Sequence, residues 1–104
     1  MASSKNYLNF ILDQLTSLGE ISHRQMMGEY MLYYRGRLFA YICDDRLLIK
    51  PVPAALKMMP GAPMESPYEG AKPMLLAEDV DNRSFLCDLV EKMYEELPEP
   101  KRRK

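Results

Sequence analysis

The sequence predicts an α+β fold: an antiparallel sheet, built of a three-stranded meander plus a second hairpin, packed with N- and C-terminal helices and a short middle helix. Three observations predict it. Residues 24–50, RQMMGEYMLYYRGRLFAYICDDRLLIK, hold three runs rich in Tyr, Phe, Leu and Ile, and only Arg35-Gly36 and Asp44-Asp45 separate them, which is the spacing of strands joined by two-residue turns. Residues 6–18 and 83–97 carry apolar side chains at helical spacing. Residues 51–78 are cut by proline and glycine into pieces too short for anything but a helical turn or edge strands.

The meander sorts into two faces. With Gly36 at positive φ in a two-residue loop, Tyr34 is expected opposite Arg37, Tyr33 opposite Leu38, Leu32 opposite Phe39, Met31 opposite Ala40 and Tyr30 opposite Tyr41. The same rule at Asp44-Asp45 sets Ile42 against Leu47 and Ala40 against Ile49. Alternation then gathers Met31, Tyr33, Leu38, Ala40, Ile42, Leu47 and Ile49 on a face that must be buried. The other face collects Tyr30, Leu32, Tyr34, Arg37, Phe39, Tyr41, Cys43, Arg46, Leu48 and Lys50, a mixture of rings and cations. It is too apolar for open water and too charged for a dry core, so a partner, a second subunit or a loop is expected over part of it.

The flanking elements follow in order. In the first helix Leu8, Ile11, Leu12, Leu15 and Leu18 form the stripe that packs on the sheet, with Ser3 or Ser4 as cap and Gly19 as the left-handed terminator. Residues 20–24 read as a polar connection and residues 25–27 as a short first strand that Gly28 closes or bulges. Pro51 and Pro53 end the last meander strand, and Pro53 opens a short helix to about Met59 that Pro60-Gly61 stops. Residues 63–78 form the second hairpin, turning at Glu69-Gly70, with residues 73–77 its stronger strand. Asp81 or Asn82 caps the last helix, whose stripe is Phe85, Leu86, Leu89, Val90, Met93, Tyr94 and Leu97, and Pro98 ends it. Residues 1–97 are thus expected as one domain and residues 98–104 as a disordered basic tail.

Composition narrows the function classes. Hydrophobic residues make up 47% and charged residues 28%, the balance of a globular domain, and a net charge of −1 supplies no overall field toward nucleic acid or anionic membrane. Cys43 and Cys87 lie far apart, with no second Cys or His at metal or redox spacing, so both read as small packing residues in a reduced, cytoplasmic protein. Neither a secretory leader nor a membrane-length apolar run is seen. Nine methionines in 104 residues suit an adaptable contact surface.

Catalytic chemistry finds little purchase. His23, the single histidine, has no evident partner in the sequence and reads as a surface residue. HExxH, CxxC, GxSxG and P-loop patterns are absent, and the glycines are isolated turn residues. Asp44 and Asp45 are adjacent on a tight turn and point apart, which favours turn chemistry over acid/base or metal work. Glu91, Glu95, Glu96 and Glu99 read as the solvated face of the last helix. No catalytic, cofactor-binding or metal residues are therefore assigned. The candidate site is an interaction face made of Tyr30, Arg37, Phe39, Tyr41, Arg46 and Lys50. Such a set serves ordinary packing, a protein or self-association interface, or a stacking platform for single-stranded nucleic acid to which the basic tail KRRK adds phosphate attraction. A small pocket between sheet and helices is a further, enzymatic or ligand-binding alternative.

Laid out this way, the chain resembles the N-terminal domain of the TfoX/Sxy family of competence regulators. The resemblance rests on Arg24, Met26, Met27 and Gly28, then Tyr30, Leu32 and Tyr33, then Gly36, Phe39 and Ala40, then Leu47, Ile49 and Lys50, and later on Tyr68, Gly70, Pro73 and Met74. Met27 stands where the family usually has an aromatic, Glu29 and Met31 stand at positions often glycine, and Leu48 replaces a frequent Tyr. The resemblance implies the α+β fold, a non-enzymatic role in a bacterial cytoplasm and, more distantly, help to a transcription activator of DNA-uptake genes. Full-length competence regulators carry a second, helical domain, so a single-domain form acting by protein contact, self-association included, is the expectation here.

Overall fold

Two left-handed turns build the centre of the sheet. In the computed structural model, which describes residues 5–26, 29–67 and 69–97, Arg35 and Gly36 have φ of 52° and 83°, and Asp44 and Asp45 have φ of 54° and 57°. Positive φ at both central residues is the turn geometry whose twist matches that of the strands it joins. The first turn joins β2 (Glu29–Tyr34) to β3 (Arg37–Cys43), and the second joins β3 to β4 (Arg46–Ile49). β1 (Ile21–Met26) pairs with β2 on the outer side. The second hairpin supplies β5 (Met64–Glu65) and β6 (Met74–Ala77), giving one antiparallel sheet of order β1-β2-β3-β4-β6-β5.

Among the described residues, three α-helices cover one face. α1 (Lys5–Gln14) continues into a 3-10 turn, Thr16–Leu18, before Gly19 at φ 67°. α2 (Pro53–Met58) starts on its proline, and α3 (Arg83–Met93) runs into a second 3-10 turn, Tyr94–Glu96. The Asn82 side chain accepts the Phe85 N–H at 3.1 Å and so caps α3. The helical stripes meet the sheet as the sequence predicts: Leu8, Ile11 and Leu15 pack with Leu86, Leu89, Val90 and Met93 on Leu47, Ile49 and Leu75. Buried Gln14 is satisfied by donating from Nε2 to the Val80 carbonyl at 2.7 Å. The caps proposed at Ser3 or Ser4, the roles of Met27, Gly28 and Tyr68, the stop at Pro98 and the tail fall outside the described residues.

The sequence-based register is right beside both turns and wrong at the end of the β2–β3 ladder farther from its turn. Tyr34 faces Arg37, Tyr33 faces Leu38, Ile42 faces Leu47 and Ala40 faces Ile49, as expected. Between them β3 carries one extra residue: Leu32 pairs with Ala40 and Tyr33 with Leu38, which leaves Phe39 as a β-bulge. Because side chains alternate with period two, this one residue exchanges the faces of everything on the β2 side of it. Tyr30, Leu32 and Tyr34, predicted on the ring-and-cation face, are buried against the helices, and Phe39 joins Ala40 there at 1% exposure. Met31, Tyr33 and Leu38, predicted in the core, are half-buried on the opposite face. The polar connection expected at residues 20–24 is also corrected: most of it is the edge strand β1, whose hydrogen bonds to β2 outweigh its lack of an apolar pattern.

Candidate functional site: the helix-free face of the sheet

The bulge splits the six predicted interface residues. Tyr30 at 4% exposure and Phe39 belong to the core, so neither can meet a partner in the folded chain. Arg37 also lies on the helix side, where it donates from a terminal guanidinium nitrogen to the Tyr94 carbonyl at 2.9 Å and stacks on that ring. Tyr41, Arg46 and Lys50 stay together on the face without helices, each half-buried. Alternation adds Arg24, Met31, Tyr33 and Leu38 to them, residues the unbulged register assigned elsewhere or left unassigned.

A cross-strand row organises this face. Arg24 pairs with Met31, Met31 with Tyr41, Tyr41 with Leu48, and Leu48 with Leu76, so a cation at the β1 edge leads into a ring and then into aliphatic ground. Leu48, Cys43 and Met74 are buried although no helix lies over them. Part of the cover is an ion pair between Arg46 of β4 and Glu65 of β5, which reaches over β6; the Arg46 Nε also donates to the Cys43 carbonyl at 3.3 Å. Burial, reinforced by the negative charge of Glu29 and only partly offset by Arg46, pushes the Cys43 thiol up to about 11. Cys43 is therefore a packing thiol at neutral pH.

Beyond Tyr41 the face deepens into a cleft of about 460 Å³ between the β4–α2 connection and the loop from β5 to β6. Tyr41 and Met74 wall it, Pro51, Pro67 and Pro73 stiffen its rim, and Lys50 and Lys72 line it. Neither lysine forms an ion pair with another described residue, and the same holds for Arg24. Prolines expected as strand edges thus also shape a concave, positively charged margin. Among the described residues no group of three or more His, Cys, Asp or Glu side chains converges as metal ligands. His23 is exposed on β1, its ring edge-on to Tyr30 with centroids 6.2 Å apart. No described helix is long and apolar enough to cross a membrane.

One carboxylate has a role the sequence hid. Glu96, read as part of a solvated helix face, is exposed, but its Oε1 accepts the Ala54 N–H at 2.8 Å. It thereby caps α2, whose own N-cap residue, Val52, has no side chain able to do so. A spacing of 42 residues between the two carries no local signal.

A protein from Spirochaeta aurantia described as an uncharacterized 12.7 kDa protein in the trpE 5′ region is 33% identical over 105 residues, covering 100% of this chain and 91% of the relative. No solved structure matches the chain. The family model for the TfoX N-terminal domain matches residues 13–96, from the last two residues of α1 to the end of the 3-10 turn after α3, and the chain belongs to that family.

Proposed function

We propose that this chain is a non-enzymatic regulatory module that works by protein contact, its helix-free sheet face taking an acidic surface of a partner protein. The observation that carries the reading is the charge of that face: Lys50 and Lys72 flank Tyr41 and a concave apolar margin with no carboxylate in the described chain paired to either. A ring between uncompensated cations is the composition of a protein interface core and rim. Membership of the TfoX N-terminal family supports a place in transcription regulation of the kind linked to competence, in a cytoplasmic setting. The same rings and cations suit a single-stranded nucleic acid, but the net charge of −1 favours the protein partner.

The test is a comparison of the parent with Tyr41→Ala and Lys50→Glu variants, each shown to be folded by circular dichroism. Cross-linking in the native cell should yield a partner that both variants lose, that Lys92→Glu on the far side of α3 retains, and whose binding to purified protein weakens with salt. Salt-sensitive binding of single-stranded DNA that depends on Lys50 and Lys72 would replace this reading with the nucleic-acid one.

A further inference from the structure

β1 is the exposed edge of the sheet. Ile21 is half-buried and Ser22 to Met26 are exposed, and among the described residues no strand pairs with its outer edge. Edge strands present unpaired N–H and C=O groups, and proteins usually blunt them with charged side chains, proline, bulges or brevity; Arg24 is the one charge on β1. The other edge is treated that way: β5 is two residues long and lies between Pro63 and Pro67. β1 has six residues, no proline and an unbroken register against β2.

The hydrogen-bond phase of β1 follows from the turn next to it. Tyr34 and Arg37 flank a two-residue loop and so bond each other, which turns the Tyr34 backbone groups toward β3 and those of Tyr33 toward β1. The Arg35 N–H donating to the Glu20 carbonyl at 3.0 Å fits the same phase. Ser22, Arg24 and Met26 therefore bond inward to β2, while Ile21, His23 and Gln25 direct their N–H and C=O off the sheet.

We propose that a second copy of this chain docks on β1 by antiparallel strand addition, the two-fold axis passing between the two His23 residues so that the two sheets become one. This goes beyond the proposed function: it names a second copy of the chain as partner at the β1 edge, a surface separate from the Tyr41 and Lys50 face. In this register Ile21 faces Gln25 of the second copy, so every outward-directed group of the strand finds a counterpart. Arg24 falls opposite Ser22 of the second copy, whereas moving the axis to Arg24 would set two guanidinium groups against each other. Side chains polar on both faces suit a strand as polar as β1 itself, and a net charge of −1 opposes no approach of like copies. On the helix side, a cleft of about 330 Å³ lined by Leu12, Leu15, Thr16, Ile21 and His23 leaves room for the facing imidazole.

Light scattering on the purified chain across a wide concentration range should give twice the chain mass. His23→Pro removes an outward N–H without touching the bonds to β2, and should halve that mass while leaving the circular dichroism unchanged. Mild oxidation of His23→Cys should give a covalent dimer, since the two residues face each other across the axis, while Ser22→Cys and the parent should not. A monomeric parent, a His23→Pro protein that stays dimeric, or cross-linking by Ser22→Cys and not by His23→Cys would overturn the proposal; if His23→Pro fails to fold, the cysteine pair decides. Because these measurements contain no other protein, their failure leaves the Tyr41 and Lys50 test standing, and the reverse also holds.

Discussion

Arg37 lies over the ring of Tyr94, 4.3 Å from its centroid, and donates to the carbonyl oxygen of the same residue at 2.9 Å. Arg35 reaches the same ring at 5.6 Å, and Tyr34 meets it edge-on at 5.4 Å. The first hairpin thus clamps the end of α3, and a cation sits where the unpaired carbonyls of a helix C-terminus concentrate negative charge. Arg37→Ala and Tyr94→Ala should each cost about 1–2 kcal/mol, with a coupling of about 0.5–1.5 kcal/mol in the double-mutant cycle. Urea midpoints of the four proteins measure both; additive effects would remove the clamp.

Phe39 and Tyr41, neighbours but one on β3, should respond to alanine in opposite ways. Phe39 fills the core at the bulge, so Phe39→Ala should cost about 3–5 kcal/mol, a large share of a domain's total of about 5–15 kcal/mol. Tyr41→Ala should lower stability by about 1 kcal/mol or less, because its ring is half-exposed. Thermal melts of the two variants would expose a wrong face assignment at once.

The turn at Asp44-Asp45 should reject branched side chains. Asp45 holds φ 57°, a region asparagine and aspartate tolerate but a β-branched residue does not. Asp45→Asn should be close to neutral and Asp45→Val should cost about 1–2 kcal/mol by denaturant titration.

Removing the distant cap should loosen α2. Glu96→Ala should cost about 0.5–1 kcal/mol, and Glu96→Gln, which keeps an acceptor oxygen, less than that. Amide exchange should show the Ala54 N–H losing protection in the alanine variant first.

Alkaline conditions should weaken the fold partly through Cys43. Its folded-state value of about 11 lies above that of an unfolded thiol, so the native state holds its proton longer. The stability it contributes is complete below the unfolded value, about 8.5, and is lost as pH rises toward 11. Tyr7 is also raised, by burial and then by the charge of Asp45, and adds to the fall at higher pH. Cys43→Ala should show a shallower decline of melting temperature over this range than the parent. An equal slope in both would exclude the thiol.

Much of the architecture was legible because it is written locally. Gly36 and the aspartate pair mark the two reversals, Pro53 opens a helix, Asn82 caps another, and leucines at helical spacing announce α1 and α3. The candidate face was only half legible. Tyr41, Arg46 and Lys50 lie on the β4 side of the bulge and keep their predicted face, while Tyr30, Arg37 and Phe39 lie before it and change sides. Nothing in YMLYY distinguishes its two faces, since both carry rings and aliphatic groups.

The sequence by itself determined the element order, both tight turns, the helical stripes and the family to which the chain belongs. Only the tertiary structure decided which face of β2 goes inside, that residues 20–24 mostly join the sheet, and that Glu96 caps a helix begun 43 residues before it in the chain. The physical reason is that turns and caps are settled within a few residues by backbone sterics and hydrogen bonds. A strand's register is settled instead by packing against α3 and by its neighbours in the sheet, and there one unpaired residue such as Phe39 reverses every alternation before it.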